Sequence, residues 1–158
     1  MIGMRITGKK LGILGMGRIG QAIAKRAIAF DLDINYHNRR RLHENIEKSL
    51  SAKYWENLEE MLAAVDILVV SASLNPSSLY LLNAKCLGKM KHSAYIVNIS
   101  RGEIIDQKAL VKQLKNGRLG GAGLDVYDSE EVIGSDFKSL KNVFLSLIHI
   151  SEPTRQKP

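Results

Sequence analysis

Three constellations in this chain carry residue types that could do chemistry. The first is Gly15-Met16-Gly17-Arg18-Ile19-Gly20. Glycines at this spacing allow a tight turn, close approach of a pyrophosphate to the backbone, and close packing of the following helix on the preceding strand. A helix that starts there points unpaired N–H groups and the positive end of its dipole at the phosphates. The second is Asn38-Arg39-Arg40-Arg41. A turn that takes NAD usually has a carboxylate about 20 residues past its glycines, which accepts hydrogen bonds from the adenosine ribose. Here Asn38 stands in that place and guanidinium groups follow. A ribose 2′-phosphate is a dianion, and guanidinium donates to it in a planar fork. This pattern points to NADP(H) as the preferred ligand, with NAD(H) the lesser option. The competing reading is a solvated basic loop. The third is Ile99-Ser100-Arg101-Gly102-Glu103, directly after a buried-type run. An arginine facing a cleft there could grip a substrate carboxylate in bidentate fashion. Asp125 and Glu130 stand at the end of a further apolar run.

The elements that must position these groups can be read from periodicity. Residues 10–14 form an apolar strand before the glycine turn, and a helix is expected over 18–30 with Ile19, Ile23, Ala27 and Phe30 at helical spacing. A second strand is expected over 32–36, then a polar connection over 39–50 with room for a helical turn, and a short strand over 52–55. Asn57 with Glu60 reads as a helix start, Leu58, Met61 and Leu62 giving its apolar face. Further strands are expected over 66–72, 94–99 and 121–126, and one more begins at Asn142. Between them Asn83 opens a short helix to Met90, and Asp106 caps a helix to Lys115 that Asn116-Gly117 ends. Ser73, Asn75, Pro76 and Ser78 fall in a loop. Strands alternating with helices require parallel pairing through crossovers, so the expected fold is α/β, a Rossmann-type doubly wound parallel sheet. Its ligand should sit at the carboxyl ends of the strands.

Composition narrows the function classes. The chain has 158 residues, 45% hydrophobic and 25% charged, which suits one globular domain with a real core. No apolar run approaches the roughly 18–20 residues that would span a membrane, so no membrane partner is expected. The net charge is +7, yet no helix-turn-helix, zinc or RNA-binding signature accompanies it, so no nucleic-acid partner is expected either. The single cysteine, Cys86, excludes an internal disulfide and suggests a reducing, cytoplasmic setting. His37, His43 and His92 lack the spacing of metal ligands, so no metal is expected.

Three motifs in order carry a family resemblance: residues 12–20 (Gly-Ile-Leu-Gly-Met-Gly-Arg-Ile-Gly), 97–106 (Val-Asn-Ile-Ser-Arg-Gly-Glu-Ile-Ile-Asp) and 121–127 (Gly-Ala-Gly-Leu-Asp-Val-Tyr). Together they resemble the nucleotide-binding domain of the D-isomer-specific 2-hydroxyacid dehydrogenases, over about residues 5–144. The stretch His37-Asn38-Arg39-Arg40-Arg41 is similar to the glyoxylate/hydroxypyruvate reductase branch. The resemblance implies an oxidoreductase fragment that uses NADP(H) on a small 2-oxo or 2-hydroxy acid, and a homodimer when full-length. It implies catalytic roles for Arg101, which would hold the substrate carboxylate, and for Glu130, which would pair with a histidine. It implies that Gly15, Gly17, Arg18, Ile19, Gly20, Asn38, Arg39, Arg40, Ser73, Asn75, Ser78, Ile99, Ser100 and Asp125 bind the cofactor, Asp125 at the nicotinamide carboxamide. Glu131 replaces the proline that often follows the glutamate. The alternative reading is a non-catalytic dinucleotide-sensing module of the corepressor kind.

Residues 1–144 are expected to form the truncated NAD(P)-binding domain, with the substrate domain absent and residues 145–158 a foreign-looking tail. Residues 145–155 read Leu-Ser-Leu-Ile-His-Ile-Ser-Glu-Pro-Thr-Arg. That string resembles the translation of a transposase-type sequencing-library adapter, so His149 is not read as the catalytic histidine. The tail is expected to be disordered or poorly packed.

Overall fold

In the computed structural model, residues 5–128, 137 and 139–146 are described. Among them, seven strands form one parallel sheet: β1 (Lys10–Leu14), β2 (Asp33–His37), β3 (Lys53–Tyr54), β4 (Ile67–Val70), β5 (Tyr95–Asn98), β6 (Gly121–Leu124) and β7 (Val143–Leu145). Their order in space is β3-β2-β1-β4-β5-β6-β7. The chain starts in the middle, winds to one edge, returns beside β1 and winds to the other, which is the Rossmann-type doubly wound plan. The order reverses between β1 and β4, whose register pairs Leu14 with Val70. A crevice must open beyond the carboxyl ends of that pair, because the two connections leave in opposite directions.

The crossovers are α1 (Arg18–Ala27), α2 (Glu44–Ser49), α3 (Leu58–Ala64), α4 (Ala84–Lys89) and α5 (Gln107–Lys115). Alternate strand residues face opposite sides of a sheet, and the core divides accordingly. Leu11, Ile13, Ile34, Tyr36 and Val69 pack with Ala24 and Ala27 of α1 and with Leu50. Leu14, Leu68, Val70 and Ile96 pack with α3, α4 and α5 through Leu62, Leu87 and Leu110. Cys86 is a free, buried thiol in this second core. The expected caps form: Asn57 accepts from the N–H groups of Glu59 and Glu60, Asn83 from Lys85 and Cys86, and Asp106 from Ala109.

Three expectations need correction. The first helix does not run to residue 30: α1 ends at Ala27, a 3₁₀ turn covers Ile28–Phe30, and Asp31 adopts a left-handed φ of 58°. Ile19 and Phe30 are 61% and 58% exposed, so neither belongs to the buried face. Small residues, Gly20, Ala24 and Ala27, form that face instead and bring the helix close to the sheet. The polar connection over 39–50 holds a full helix, α2, capped by the His43 side chain. The first residues of the tail are part of the domain. Leu145 ends β7 and packs against the core, and the Tyr127 hydroxyl donates to the Ser146 carbonyl at 2.7 Å. Residues 147–158, with His149, lie outside the described residues.

Candidate dinucleotide site

The strands end sooner than their apolar runs do. Ser71 and Ala72 follow β4, Ile99 follows β5 and Asp125 follows β6, so the last residues of each run leave the sheet and form the rim of the crevice. Among the described residues, two clefts occupy this rim. One of about 510 Å³ is lined by Gly15, Gly17, Asn38, Arg39, Arg40 and Ser73, among others. The other, of about 290 Å³, is lined by Ile19, Leu74, Ile99, Ser100 and Arg101. Both are lined by Ser71, Ala72 and Ser73, so the two share a wall.

The glycine turn is built as its spacing requires. Gly15 has φ +97°, and a Cβ there would fall 2.5 Å from the Ala72 backbone. A Cβ on Gly20 would strike the Gly15 carbonyl oxygen. Gly17 is different: a Cβ there would meet nothing within 4 Å. Gly17 also lines the first cleft, so the open space at its Cα leaves room for a phosphate against the backbone. Gly17 also caps α1 with no side-chain hydrogen bond, and the first turn of α1 contains no acidic residue to compete with an anion. These features fit a dinucleotide pyrophosphate.

Two side chains brace the turn. The Ser71 hydroxyl donates to the Gly15 carbonyl at 2.7 Å, and Asn38 Oδ1 accepts from the Met16 N–H at 2.7 Å. Asn38 thus lines the cleft and also fixes the turn. Ser71 was not singled out in the sequence; its position after β4, beside the reversal in strand order, is the signal that could have found it. The loop after β4 is self-bonded. Ser78 donates to the Ser73 carbonyl at 2.8 Å and accepts from the Asn75 N–H at 2.8 Å, while Asn75 Oδ1 accepts from Ser77. Ser73, Asn75 and Ser78 therefore line the first cleft with their hydrogen bonds directed largely into the loop.

At the second cleft the buried Asn98 shapes the loop. Its amide donates to the Arg101 carbonyl at 2.9 Å, and its oxygen accepts from the Ser100 N–H at 3.1 Å. The exposed Arg101 side chain donates from Nη1 to the Ser100 carbonyl at 2.7 Å. Gly102 lies against the backbone of Tyr127 and Asp128, where any Cβ would collide. Tyr80, at φ 47°, ties three loops together: its N–H donates to the Glu103 carbonyl at 2.7 Å and its hydroxyl to Asp128 Oδ2 at 3.0 Å. The Asp128 carboxylate pushes the Tyr80 pKa above the ordinary tyrosine value.

Arg18, Gly20 and Asp125 are outside the lining of both clefts. Gly20 is buried beneath the turn, Arg18 is exposed on the first turn of α1, and the Asp125 N–H donates to the Asn98 carbonyl at 3.0 Å. Glu130 lies outside the described residues. Among the described residues, no group of three or more His, Cys, Asp or Glu side chains could hold a metal ion. No helix among them is long and apolar enough to cross a membrane.

A parallel sheet that reverses beside a glycine turn, with clefts at its carboxyl edge, defines a dinucleotide-binding domain. Residues 1–151 match the family described as D-isomer specific 2-hydroxyacid dehydrogenase, NAD binding domain, and the chain belongs to that family. The glyoxylate reductase of Thermococcus kodakarensis is 44% identical over 97% of this chain and 45% of its own length. The glyoxylate reductase of Pyrococcus furiosus is 43% identical, with the same coverage. The holo form of Rhodotorula graminis D-mandelate dehydrogenase superposes with a TM-score of 0.88 at 32% identity, over 93% of this chain and 43% of that one. The chain thus spans less than half the length of these relatives. The relatives are reductases and dehydrogenases, and nothing in them favours the sensing-module alternative.

Proposed function

We propose that this chain is the nucleotide-binding part of an NADP(H)-dependent reductase of small 2-oxo acids, with glyoxylate or hydroxypyruvate as substrate. The observation that carries the reading is the pair of adjoining clefts: Arg39 and Arg40 line one, Arg101 lines the other, and the glycine turn borders the first. The pyrophosphate lies over Gly17 and the start of α1, the adenosine 2′-phosphate meets Arg39 and Arg40, and the nicotinamide enters the second cleft over Ile19 and Ile99. Its carboxamide reaches past the cleft lining to Asp125, the role the family resemblance implies for that residue, whose N–H is bonded to Asn98 at the end of β5. When bound, the nicotinamide supplies the hydride that reduces a carbonyl carbon.

Arg101 grips the substrate carboxylate in bidentate fashion, which fixes the carbonyl relative to the cofactor. Glu130 pairs with a histidine, favouring imidazolium so that a proton can reach the carbonyl oxygen. That histidine is not His149. The full-length protein is a cytoplasmic homodimer in this reading; the family resemblance supports the dimer, and the free buried Cys86 fits a reducing compartment.

The full-length enzyme tests this directly. Arg101→Ala is expected to lower kcat/KM for glyoxylate about 100-fold, on the order of 3 kcal/mol of transition-state stabilisation. Unchanged kinetics would remove Arg101 from the site.

A further inference from the structure

The turn that presents Arg39 and Arg40 is held from beneath by a buried carboxylate. Glu47, whose side chain is only 8% exposed, accepts from Arg41 through both oxygens, at 2.9 Å from Nε and 2.8 Å from Nη2. Its Oε1 also accepts from the Tyr36 hydroxyl at 2.5 Å. That hydroxyl in turn accepts from the Leu42 N–H at 2.9 Å. The Arg41 guanidinium lies 5.5 Å from the centroid of the Tyr54 ring, and the Tyr54 hydroxyl donates to the Asn38 carbonyl at 3.4 Å. Residues 38–42 are therefore pinned at both ends and at Arg41.

A solvated basic loop needs none of this. Burying a carboxylate is unfavourable unless it is paired and hydrogen-bonded, and here the pairing draws one arginine of three away from the others. Arg41 faces Glu47, whereas Arg39 and Arg40 line the first cleft. Holding a charged turn in its binding geometry removes the entropy a flexible turn would lose on binding.

We infer that Glu47 is a positioning residue for cofactor selection: by holding Arg41 and Tyr36 it fixes the turn 38–41 so that Arg39 and Arg40, and not Arg41, meet the ribose 2′-phosphate. This inference rests on the NADP(H) reading above. It assigns selectivity to a residue outside both clefts.

The test is fluorescence titration of this chain with NADPH and with NADH, for wild type, Glu47→Gln, Tyr36→Phe and Arg39→Asp, each checked for folding by circular dichroism. Wild type is expected to bind NADPH tighter by on the order of tenfold, and Arg39→Asp to reverse that order. Glu47→Gln is expected to weaken NADPH about 3- to 10-fold while NADH stays within about twofold. Tyr36→Phe, which keeps the Glu47–Arg41 pair, gives a smaller change in the same direction and serves if Glu47→Gln fails to fold. Equal weakening of both dinucleotides would show a merely structural role and overturn the inference. So would an unaltered NADPH-to-NADH ratio in a folded Glu47→Gln. If Arg39→Asp leaves the ratio unchanged, or wild type shows no preference, the NADP(H) reading itself fails and the inference falls with it.

Discussion

Three adjacent arginines have different surroundings, and their difference decides what each can do. Arg41 is paired with Glu47, whereas Arg39 and Arg40 border the first cleft. The hydrogen bonds from Arg41, then that from Tyr36, lower the Glu47 pKa from 4.5 to about 2. Burial, reinforced by the Glu47 carboxylate, pushes Tyr36 up to about 12 from 10.0. The signs are opposite. Glu47 is depressed on folding, so its contribution is complete above pH 4.5 and is lost as pH falls through about 2. Tyr36 is raised, so its contribution is complete below pH 10.0 and is lost as pH rises through about 12. Urea unfolding against pH is expected to show stability falling at both extremes, with Glu47→Gln flattening the acid limb and shrinking the alkaline limb in part, because the Glu47 carboxylate also holds Tyr36 up. Equal acid limbs in the two proteins would contradict the pairing. The arginine run was legible as chemistry, because its types and its place after β2 sufficed. The division among the three was not, since Glu47 lies on a helix expected only as a turn and Tyr36 read as an ordinary strand residue.

At the scale of elements, strands and helices were legible because their apolar periods agree with the caps at Asn57, Asn83 and Asp106. Their ends were less so. Periodicity cannot distinguish a residue buried in a sheet from one just beyond it, so Ser71, Ala72 and Ile99 read as strand although they form the cleft edge. The packing face of α1 escapes periodicity for a related reason. Ile19 borders the second cleft, and the helix packs through small residues that periodicity weights little. The loops at the carboxyl edge are fastened to one another by contacts distant in sequence, Tyr80 with Asp128 and Gly102 with the Tyr127–Asp128 peptide. Gly102→Ala must move backbone on both sides. It is expected to destabilise the domain by about 2–3 kcal/mol, lowering Tm by roughly 5–10 °C. An unchanged Tm would show that these loops are not closely packed.

Across the whole molecule, topology does the largest share of the positioning. Reversal of strand order between β1 and β4 brings the glycine turn, the turn after β2 and the loops after β4 and β5 to one edge. Alternation of strands and helices makes that arrangement legible in the sequence. Val143–Leu145 completes the sheet beside β6, although residues 145–155 resemble a translated sequencing-library adapter. We propose that the natural chain departs from this sequence near residue 145. Sequencing the locus from independently prepared DNA is expected to replace the codons that follow. Recovery of the same codons through Pro158 in genomic context would contradict the proposal.

The proposed function requires a nicotinamide dinucleotide along the carboxyl edge of the sheet, its pyrophosphate over Gly17. Titration of the ¹⁵N-labelled chain with NADPH, followed by amide chemical shifts, tests it most directly. The largest shifts are expected at residues 16–20, 38–40, 71–75 and 99–101. Shifts confined to another surface, or none at saturating NADPH, would contradict it.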